Sequence, residues 1–175
     1  MNAKLAELYA KAAATPSDIN EHLPVFLAMI DEIGALRVLE LGVRDGVSTL
    51  AWLHGLHGKG HLWSVDVELP GPNSPLRELG SVPHWTFILG RDETQVVRTA
   101  LPNAFDILFI DTSHTYEQTT YELRAYGPRV RPGGRIVLHD TGLPDVHRAM
   151  IEYAQSRNAR WTNRTNCYGL GIIEV

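Results

Sequence analysis

The chain has 175 residues and a formal net charge of −4, from 16 Lys and Arg against 20 Asp and Glu. This length fits one domain, residues 1–175, and the single cysteine, Cys167, excludes an internal disulfide and a Cys-x-x-Cys zinc site. The acidic balance and the lack of an apolar run of about 18 residues favour a cytoplasmic protein and argue against membranes and nucleic acid as partners.

The N-terminal part of the sequence predicts a helical extension, residues 1–33, with two helices over residues 2–33. Thr15 to Asp18 separate them, and Ser17 or Asp18 is the expected cap of the second helix, with Glu21 completing a capping box. Because these helices precede the first strand, we expect them to pack over the carboxyl edge of the sheet or to form an oligomer contact.

From residue 37 onward, short apolar runs alternate with longer amphipathic ones, which is the pattern of a parallel α/β sheet. Several of the runs are apolar at every position, as strands covered on both faces must be. The predicted strands are Arg37 to Val43, His61 to Val67, Thr86 to Gly90, Phe105 to Asp111 and Gly134 to Asp140. The predicted helices are Val47 to His57, Glu93 to Leu101, Tyr116 to Val130 and Pro144 to Asn158.

The C-terminal residues break this alternation. Arg160 to Thr165 and Gly169 to Val175 are two strand-like runs with no room for a helix between them, so they predict an antiparallel hairpin at the sheet edge. The fold class is therefore α/β: a Rossmann-like three-layer sandwich with a mostly parallel seven-stranded sheet, an antiparallel C-terminal hairpin and N-terminal helices.

The first strand runs through Glu40 and Gly42 into a turn that ends at Gly46 and opens a helix at Ser48. Glycines at such a turn let a ligand approach the backbone, and the N–H groups of the helix start favour an anionic group. The Gly-x-x-x-Gly spacing is neither a dinucleotide fingerprint nor a phosphate loop for nucleoside triphosphates. A purely structural turn is the alternative.

The second and third strands also end in acids. Asp66 and Val67 lie about 20 residues beyond the glycines, where a ribose diol would find a carboxylate acceptor. Gly90 and Asp92 follow the third strand, and Asp92 is either an acceptor for an adenine amino group or the N-cap of the next helix.

Together these motifs resemble the class I S-adenosylmethionine-dependent methyltransferases over about residues 34–175. The resemblance implies S-adenosylmethionine as the cofactor, with Glu40, Gly42 and Gly46 at its methionine end, Asp66 on the ribose, and Gly90 and Asp92 beside the adenine. The full expected cofactor set is Glu40, Gly42, Gly46, Ser48, Asp66, Val67, Gly90, Asp92 and Asp111.

Acids and histidines follow the fourth and fifth strands. Asp111 and Asp140 end neighbouring strands, so both carboxylates are expected within reach of one divalent cation such as Mg²⁺ or Mn²⁺. The Asp-x-x-His of Asp111 and His114 is similar to that of the metal-dependent sugar O-methyltransferases of the macrocin and mycinamicin type and of cephalosporin-hydroxylase-like relatives. That similarity implies that Asp111 and Asp140 bind metal and that His114 is the general base.

One position departs from that pattern, because His139 stands where those relatives carry Glu or Asp before the second aspartate. Either Asp111, Asp140 and His139 hold the metal together, which shifts the preference toward Mn²⁺, Fe²⁺ or Zn²⁺, or there is no tight site. His139 is alternatively a core imidazole, and His114 is alternatively a loop residue that caps the following helix.

The resulting hypothesis is O-methylation of a hydroxylated small molecule, a sugar or glycosylated metabolite, with His114 and Asp111 as catalytic residues. The loops Thr15 to His22 and Asn163 to Tyr168 are expected to contact the acceptor, and a homo-oligomer would lend further walls to the site. Amine methylation would call for Asn/Asp-Pro-Pro-aromatic after the fourth strand, where Asp111 to His114 stand instead. The alternative is a catalytically silent S-adenosylmethionine-binding partner or sensor subunit.

Overall fold

A single seven-stranded sheet forms the centre of the computed structural model, which describes residues 3–175. The strand order is β3-β2-β1-β4-β5-β7-β6; β7 pairs antiparallel with β5 and β6, and all other pairs are parallel. The strands are β1 (Arg37–Leu41), β2 (His61–Asp66), β3 (Trp85–Leu89), β4 (Phe105–Ile110), β5 (Val130–His139), β6 (Trp161–Arg164) and β7 (Leu170–Glu174). The predicted fold class is confirmed, including the C-terminal hairpin.

Over residues 3–175, six α-helices cover the two faces of the sheet. They are α1 (Ala3–Ala14), α2 (Leu23–Ile33), α3 (Val47–Gly55), α4 (Gln95–Ala100), α5 (Tyr116–Tyr126) and α6 (Pro144–Ser156). Short 3₁₀ turns lie at Asn20–His22, Pro75–Glu78 and Gly127–Arg129. Among the residues described, no helix combines the length and the apolar character needed to cross a membrane.

Alternating residues of the central strands divide the core into two layers. Val38, Ile107 and Phe109 pack with the side chains of α1, α2 and α3. Leu39 and Leu108 pack with those of α4, α5 and α6. Both faces of each strand are buried because side chains alternate across a pleated strand and helices lie on both sides.

The N-terminal helices pack on α3, so their predicted position over the carboxyl edge of the sheet is wrong. Phe26 of α2 stacks on Trp52 of α3 with ring centroids 4.2 Å apart, and this apolar contact decides where the helix lies. The link between α1 and α2 does reach the carboxyl edge. Helix α1 begins at Ala3, so the first predicted helical residue lies outside the described residues.

The predicted capping box is also different in the structure. Ser17 Oγ accepts a hydrogen bond from the backbone N–H of Asn20, and Asn20 Oδ1 accepts one from the backbone N–H of Ser17. This reciprocal pair has the bonding pattern of a capping box, with Asn20 in the place expected for Glu21. The N-cap residues of the 3₁₀ turn and of α2, Ile19 and His22, make no side-chain cap hydrogen bond. Glu21 instead accepts a hydrogen bond from Asn166 Nδ2 at 2.7 Å.

Strand β5 begins at Val130, four residues before the predicted start at Gly134. Val130 pairs with Phe105, and the register then shifts before Ile107 pairs with Arg135. Such a bulge accommodates the Pro-Gly-Gly segment, since proline cannot donate a hydrogen bond to a regular ladder.

Asp106 anchors the amino edge of the sheet, opposite the edge where the sequence places its functional residues. Its buried carboxylate accepts hydrogen bonds from the backbone N–H groups of Leu36 and Arg37, both at 2.7 Å, and from Arg131 Nε at 2.6 Å. Burial opposes its ionisation, but these donors outweigh it and lower the pKa of Asp106.

The substitution Asp106→Ala should lower the free energy of unfolding by about 3 kcal/mol, because it removes the acceptor of two partly buried backbone N–H groups and of Nε of the half-buried Arg131. Urea denaturation of the purified variant measures this loss. Asp31→Ala, at an exposed position on α2, is the control and should change stability by less than about 0.5 kcal/mol. Equal, small effects of the two substitutions would contradict the anchoring role.

Candidate active site

The largest concentration of sequence-predicted residues surrounds a cavity of about 400 Å³ at the carboxyl edge of the sheet. The cavity lies where the strand order reverses between β1 and β4, the position at which open α/β sheets bind ligands. Its lining comes from the ends of four neighbouring strands and from Gln118 of α5: residues 41–44, 65–67, 90–93 and 111–114.

Gly42 sits at the narrowest point between two of these strand ends. Its φ is +87°, and a Cβ atom at this position would collide with the carbonyl oxygen of Asp111. The glycine is therefore required by the close approach of the β1 and β4 ends. Gly46 has φ +83° and is the N-cap of α3, where a Cβ atom would meet Leu76.

Glu40 and Ser48 do not line the cavity, contrary to their expected role as cofactor contacts. Glu40 is fully buried and accepts hydrogen bonds from Ser48 Oγ at 2.6 Å, Thr49 Oγ1 at 2.8 Å and Ser64 Oγ at 2.6 Å. Burial raises the pKa of Glu40 to about 7 in spite of these donors. Glu40 and Ser48 therefore stabilise the glycine turn from the side that faces away from the cavity. Gly46 is likewise not among the residues that line the cavity.

Asp66 is positioned entirely by backbone groups. Its Oδ2 accepts hydrogen bonds from the N–H groups of Val43 and Arg44 at 2.7 and 2.9 Å, and its Oδ1 accepts one from Glu68 at 3.0 Å. A carboxylate oxygen accepts two hydrogen bonds, so Oδ1 keeps capacity for a ligand hydroxyl. The expected ribose acceptor therefore faces the cavity in a fixed orientation, beside Val67.

Asp92 is not the cap of α4, because Thr94 Oγ1 accepts the hydrogen bond of the first turn. The buried Asp92 carboxyl accepts one from Gln118 Nε2 at 3.0 Å through Oδ1. Its Oδ2 has no hydrogen-bond partner among the described residues, and burial raises the pKa of Asp92 to about 6. Asp92 and Gly90 line the end of the cavity near β3.

At the other end, the β4 and β5 termini bring two carboxylates against two imidazoles. His114 Nε2 lies 3.2 Å from Asp111 Oδ1 and 2.9 Å from Asp140 Oδ2. His139 Nδ1 lies 3.4 and 3.2 Å from the same two oxygens. Ligand atoms of Asp111, His139 and Asp140 all lie within 4.8 Å of one another. The three residues predicted to bind metal, Asp111, His139 and Asp140, therefore lie close together. Of the whole cluster, only Asp111 and His114 line the cavity.

The carboxylates set the charge of both rings. Hydrogen bonds to Asp111 and Asp140 raise the pKa of His114 to about 9. Burial alone would lower the pKa of His139, but the same two carboxylates raise it to about 10. In return, both rings lower the pKa of Asp111 and of Asp140 against the opposing effect of burial. In the arrangement described, His114 is therefore an imidazolium and not a base.

The contacts of His139 Nε2 determine which nitrogen keeps its proton when the ring is neutral. Nε2 lies 3.1 Å from the carbonyl oxygens of both Asp18 and Cys167. Carbonyl oxygens only accept, so Nε2 carries a proton and Nδ1 is the nitrogen that faces the carboxylates. Metal-ligating histidines are held in the same way by an acceptor behind the ring.

Two loops close over this cluster, residues 17–22 and residues 166–168. His22 Nε2 lies 3.1 Å from the carbonyl oxygen of Asn166, and Arg44 pairs with Asp18 at 2.8 Å. That both loops contact the acceptor stays a prediction. In the structure they bind each other and the back of His139, and we call them together the latch.

Left-handed backbone is concentrated here. Five of the seven non-glycine residues with positive φ among those described belong to the site or the latch: Arg44, His114, Asp140, Cys167 and Tyr168. This conformation costs energy for residues with a side chain and persists where the surroundings enforce it, which is common at functional sites.

Sequence reasoning missed a buried acid behind the cavity. Glu122 of α5 accepts hydrogen bonds at Oε1 from Thr112 Oγ1 at 2.7 Å and from Gln118 Nε2 at 3.0 Å. It was identifiable, because Glu122 occupies the same helix face as the buried Thr119, Leu123 and Tyr126. An acid in an apolar stripe needs polar partners.

Residues 39–141 match the sequence model of a family described as a methyltransferase domain, which is more than half of the chain. The chain belongs to this methyltransferase family. A mycobacterial relative named "Putative O-methyltransferase", from Mycobacterium avium (strain 104), is 32% identical over 114 residues, or 63% of this chain and 50% of the relative. This methyltransferase chain thus spans about half the length of the curated relatives it matches.

Solved structures share the fold over the whole chain. An O-methyltransferase from Bacillus cereus in complex with SAH superposes with a TM-score of 0.69 at 14% identity, covering 100% of this chain and 92% of that one. The O-methyltransferase TomG of Streptomyces achromogenes, involved in tomaymycin synthesis and in complex with SAM, gives a TM-score of 0.71 at 16% identity, covering 100% and 90%. At these identities the likeness establishes the methyltransferase fold.

The buried Glu122 makes stability depend on pH. Burial raises its pKa from 4.5 to about 8, so the folded protein binds a proton that the unfolded chain has lost. Stability from this group is complete below about pH 4.5 and is lost as the pH rises through 8. Glu122→Gln should therefore flatten the decline by up to about 1.4 kcal/mol per pH unit within that window.

Free energies of unfolding, measured between pH 5 and 9, test this expectation. Glu40 and Asp92 also have raised pKa values and remain in the variant, so some decline persists in both proteins. Identical slopes for wild type and Glu122→Gln would show that Glu122 is ionised in the folded state.

Proposed function

We propose that the protein is an S-adenosylmethionine-dependent O-methyltransferase that acts on a hydroxylated small molecule with the help of a divalent cation. The observation that carries the proposal is the layout of the cavity. Asp66 and Asp92 offer acceptors along its length, and the Asp111–His114 pair lies at one end. The family match and the names of the relatives support the same reaction class.

The cavity residues fit a nucleoside cofactor. Its volume is in the range of small-molecule sites, about 300 to 1,000 Å³. Asp66 Oδ1 can accept from a ribose hydroxyl, and the orphaned Asp92 Oδ2 is suited to the amino group of adenine. Gly42 lines the cavity and lets the ends of β1 and β4 approach closely where a side chain has no room.

The donor set of Asp111, His139 and Asp140 fits a divalent cation. Adjacent ligands on bonds of about 2.1 Å lie roughly 3 Å apart. His139 Nδ1 is 3.4 and 3.2 Å from the carboxylate oxygens of Asp111 and Asp140, and all three ligand atoms lie within 4.8 Å of one another. Two carboxylates with one imidazole favour Mn²⁺, Fe²⁺ or Zn²⁺ over a strictly oxygen-bound Mg²⁺. Of the two alternatives for His139, a third metal ligand or a core imidazole, the proton on Nε2 supports the first, because Nδ1 is then the nitrogen that faces the carboxylates.

The cofactor, when bound, supplies an electrophilic methyl group, and the cation lowers the pKa of an acceptor hydroxyl. Asp66 and Asp92 orient the cofactor along the cavity. Asp111 and Asp140 would hold the cation. His114 Nε2, which lies beside both carboxylates, is the atom that would accept the proton of the acceptor hydroxyl during methyl transfer. His114 accepts it only as a neutral ring, so its base role requires another positive charge on the carboxylates.

The acceptor class, a sugar or glycosylated metabolite, follows from the resemblance of the Asp111 to His114 motif. The silent cofactor-binding partner is the competing proposal, and turnover with any hydroxylated acceptor separates the two. A homo-oligomer and a cytoplasmic location stay predictions.

Asp66→Ala should weaken binding of S-adenosylhomocysteine at least about 100-fold, because it removes the ribose acceptor and releases the Val43–Arg44 turn. Isothermal titration calorimetry measures the affinity. Glu68→Ala is the matched control, since Glu68 is exposed two residues away and should leave affinity unchanged. Unaltered affinity of the Asp66 variant would remove the cofactor assignment.

Asp140→Asn should lower Mn²⁺ affinity about tenfold or more, and wild-type affinity should rise with pH because His139 must lose its Nδ1 proton to bind metal. Titration of Mn²⁺ by electron paramagnetic resonance measures both. Asp145→Asn, exposed at the start of α6, is the control. A chelator should also abolish methyl transfer from labelled S-adenosylmethionine to a panel of sugars and catechols. Transfer that survives the chelator and Asp140→Asn alike would refute the metal role.

A further inference from the structure

Gln118 of α5 lines the cavity at its β3 end and bonds there to the side chain of Asp92. Its side-chain nitrogen, Nε2, donates to Asp92 Oδ1 and to Glu122 Oε1, both at 3.0 Å. An amide nitrogen has two hydrogens, so these two acceptors use both. The remaining polar atom of the amide is its oxygen, which only accepts.

The neighbouring carboxyl group of Asp92 also has an oxygen that accepts hydrogen bonds. Asp92 Oδ2 is buried, has no partner among residues 3–175, and belongs to a residue that lines the cavity. A buried oxygen without a donor is costly, and a ligand that supplies one is favoured. The acceptor that this end of the cavity exposes is therefore the amide oxygen of Gln118, with the buried and unpartnered Asp92 Oδ2 behind the surface.

Glu122 and Asp92 together fix which way the amide points, because each accepts one of its two hydrogens. It is fully buried, its Oε1 is held by Thr112 Oγ1 at 2.7 Å, and the same oxygen receives the second Gln118 hydrogen. The oxygen and nitrogen of a glutamine amide are alike in shape, so the hydrogen-bond network alone fixes their order. With Glu122 removed, one N–H is released and the amide can turn its nitrogen toward the ligand.

We propose that Glu122 is a positioning residue that locks the Gln118 amide so that the cavity selects a 6-aminopurine and rejects a 6-oxopurine. Adenine presents N–H donors at its 6-position, whereas hypoxanthine presents an oxygen that faces Asp92 and the amide oxygen without a proton between them. The inference rests on the proposed function, because it places the purine of the cofactor at Asp92.

The test compares two ligands that differ only at the purine, S-adenosylhomocysteine and S-inosylhomocysteine. Calorimetric affinities of the wild type should favour the adenosyl compound by about 100-fold, as expected of a site that would be left with unpaired acceptors. Glu122→Leu should reduce this ratio about tenfold or more. Glu122→Gln keeps an acceptor for Thr112 and Gln118 and should restore it.

Glu117→Leu is the matched control, since Glu117 lies on the same helix but is exposed and should leave the ratio at the wild-type value. A merely structural role of Glu122 would weaken both ligands equally and leave the ratio intact, which would overturn the inference. A wild-type ratio near one would overturn it as well. If Glu122→Leu does not fold, Gln118→Met at a half-buried position gives the second measurement, and it should also lower the ratio.

Failure of the underlying function has a different signature. If the wild type binds neither nucleoside, the cofactor assignment itself is wrong. If the wild type binds the adenosyl compound tightly but substitutions at Glu122 and Gln118 leave the ratio of the two affinities unchanged, the cofactor assignment is correct and only the positioning role is wrong.

Discussion

Two carboxylates that repel each other are held together at the centre of the site, and they require positive charge between them. The parallel register of β4 and β5 pairs Ile110 with Leu138, so Asp111 and Asp140 follow at adjacent strand ends. His114 and His139 contact both carboxylates. In the arrangement described, protons on these two rings supply the positive charge. A bound divalent cation would supply it instead, and the rings would then be neutral. The latch and the left-handed backbone keep these groups in place.

The cavity has further acidic groups held at fixed positions along the carboxyl edge of the sheet. Each of the four strands β1 to β4 ends beside residues that line the cavity. An acid ends β2 at Asp66, and acids follow β3 and β4 at Asp92 and Asp111. Each acid is anchored differently: by backbone N–H groups, by a glutamine amide, and by imidazoles. Acceptors set at fixed positions in a row suit a ligand whose donors are also in a row, such as the hydroxyls and amino group of a nucleoside.

Much of the fold and half of the site followed from local sequence pattern. Apolar runs located the strands, and because parallel strands share their carboxyl edge, Asp66, Asp92, Asp111 and Asp140 were placed together correctly. Glu40 was placed on the wrong side, since pleating turns it away from Leu39 and Leu41 toward α3. The latch could not be foreseen, because Asp18 and His139 are 121 positions apart and meet through backbone atoms, which no residue pattern encodes.

The most direct test of the central claim is anomalous diffraction from crystals grown with Mn²⁺ and S-adenosylhomocysteine. We expect one strong manganese peak in contact with Asp111, Asp140 and His139 Nδ1, with His114 moved off at least one carboxylate and the nucleoside in the adjoining cavity. A cluster without a peak at saturating Mn²⁺, with His114 Nε2 still bridging both carboxylates, would contradict the claim that these two acids exist to hold a metal.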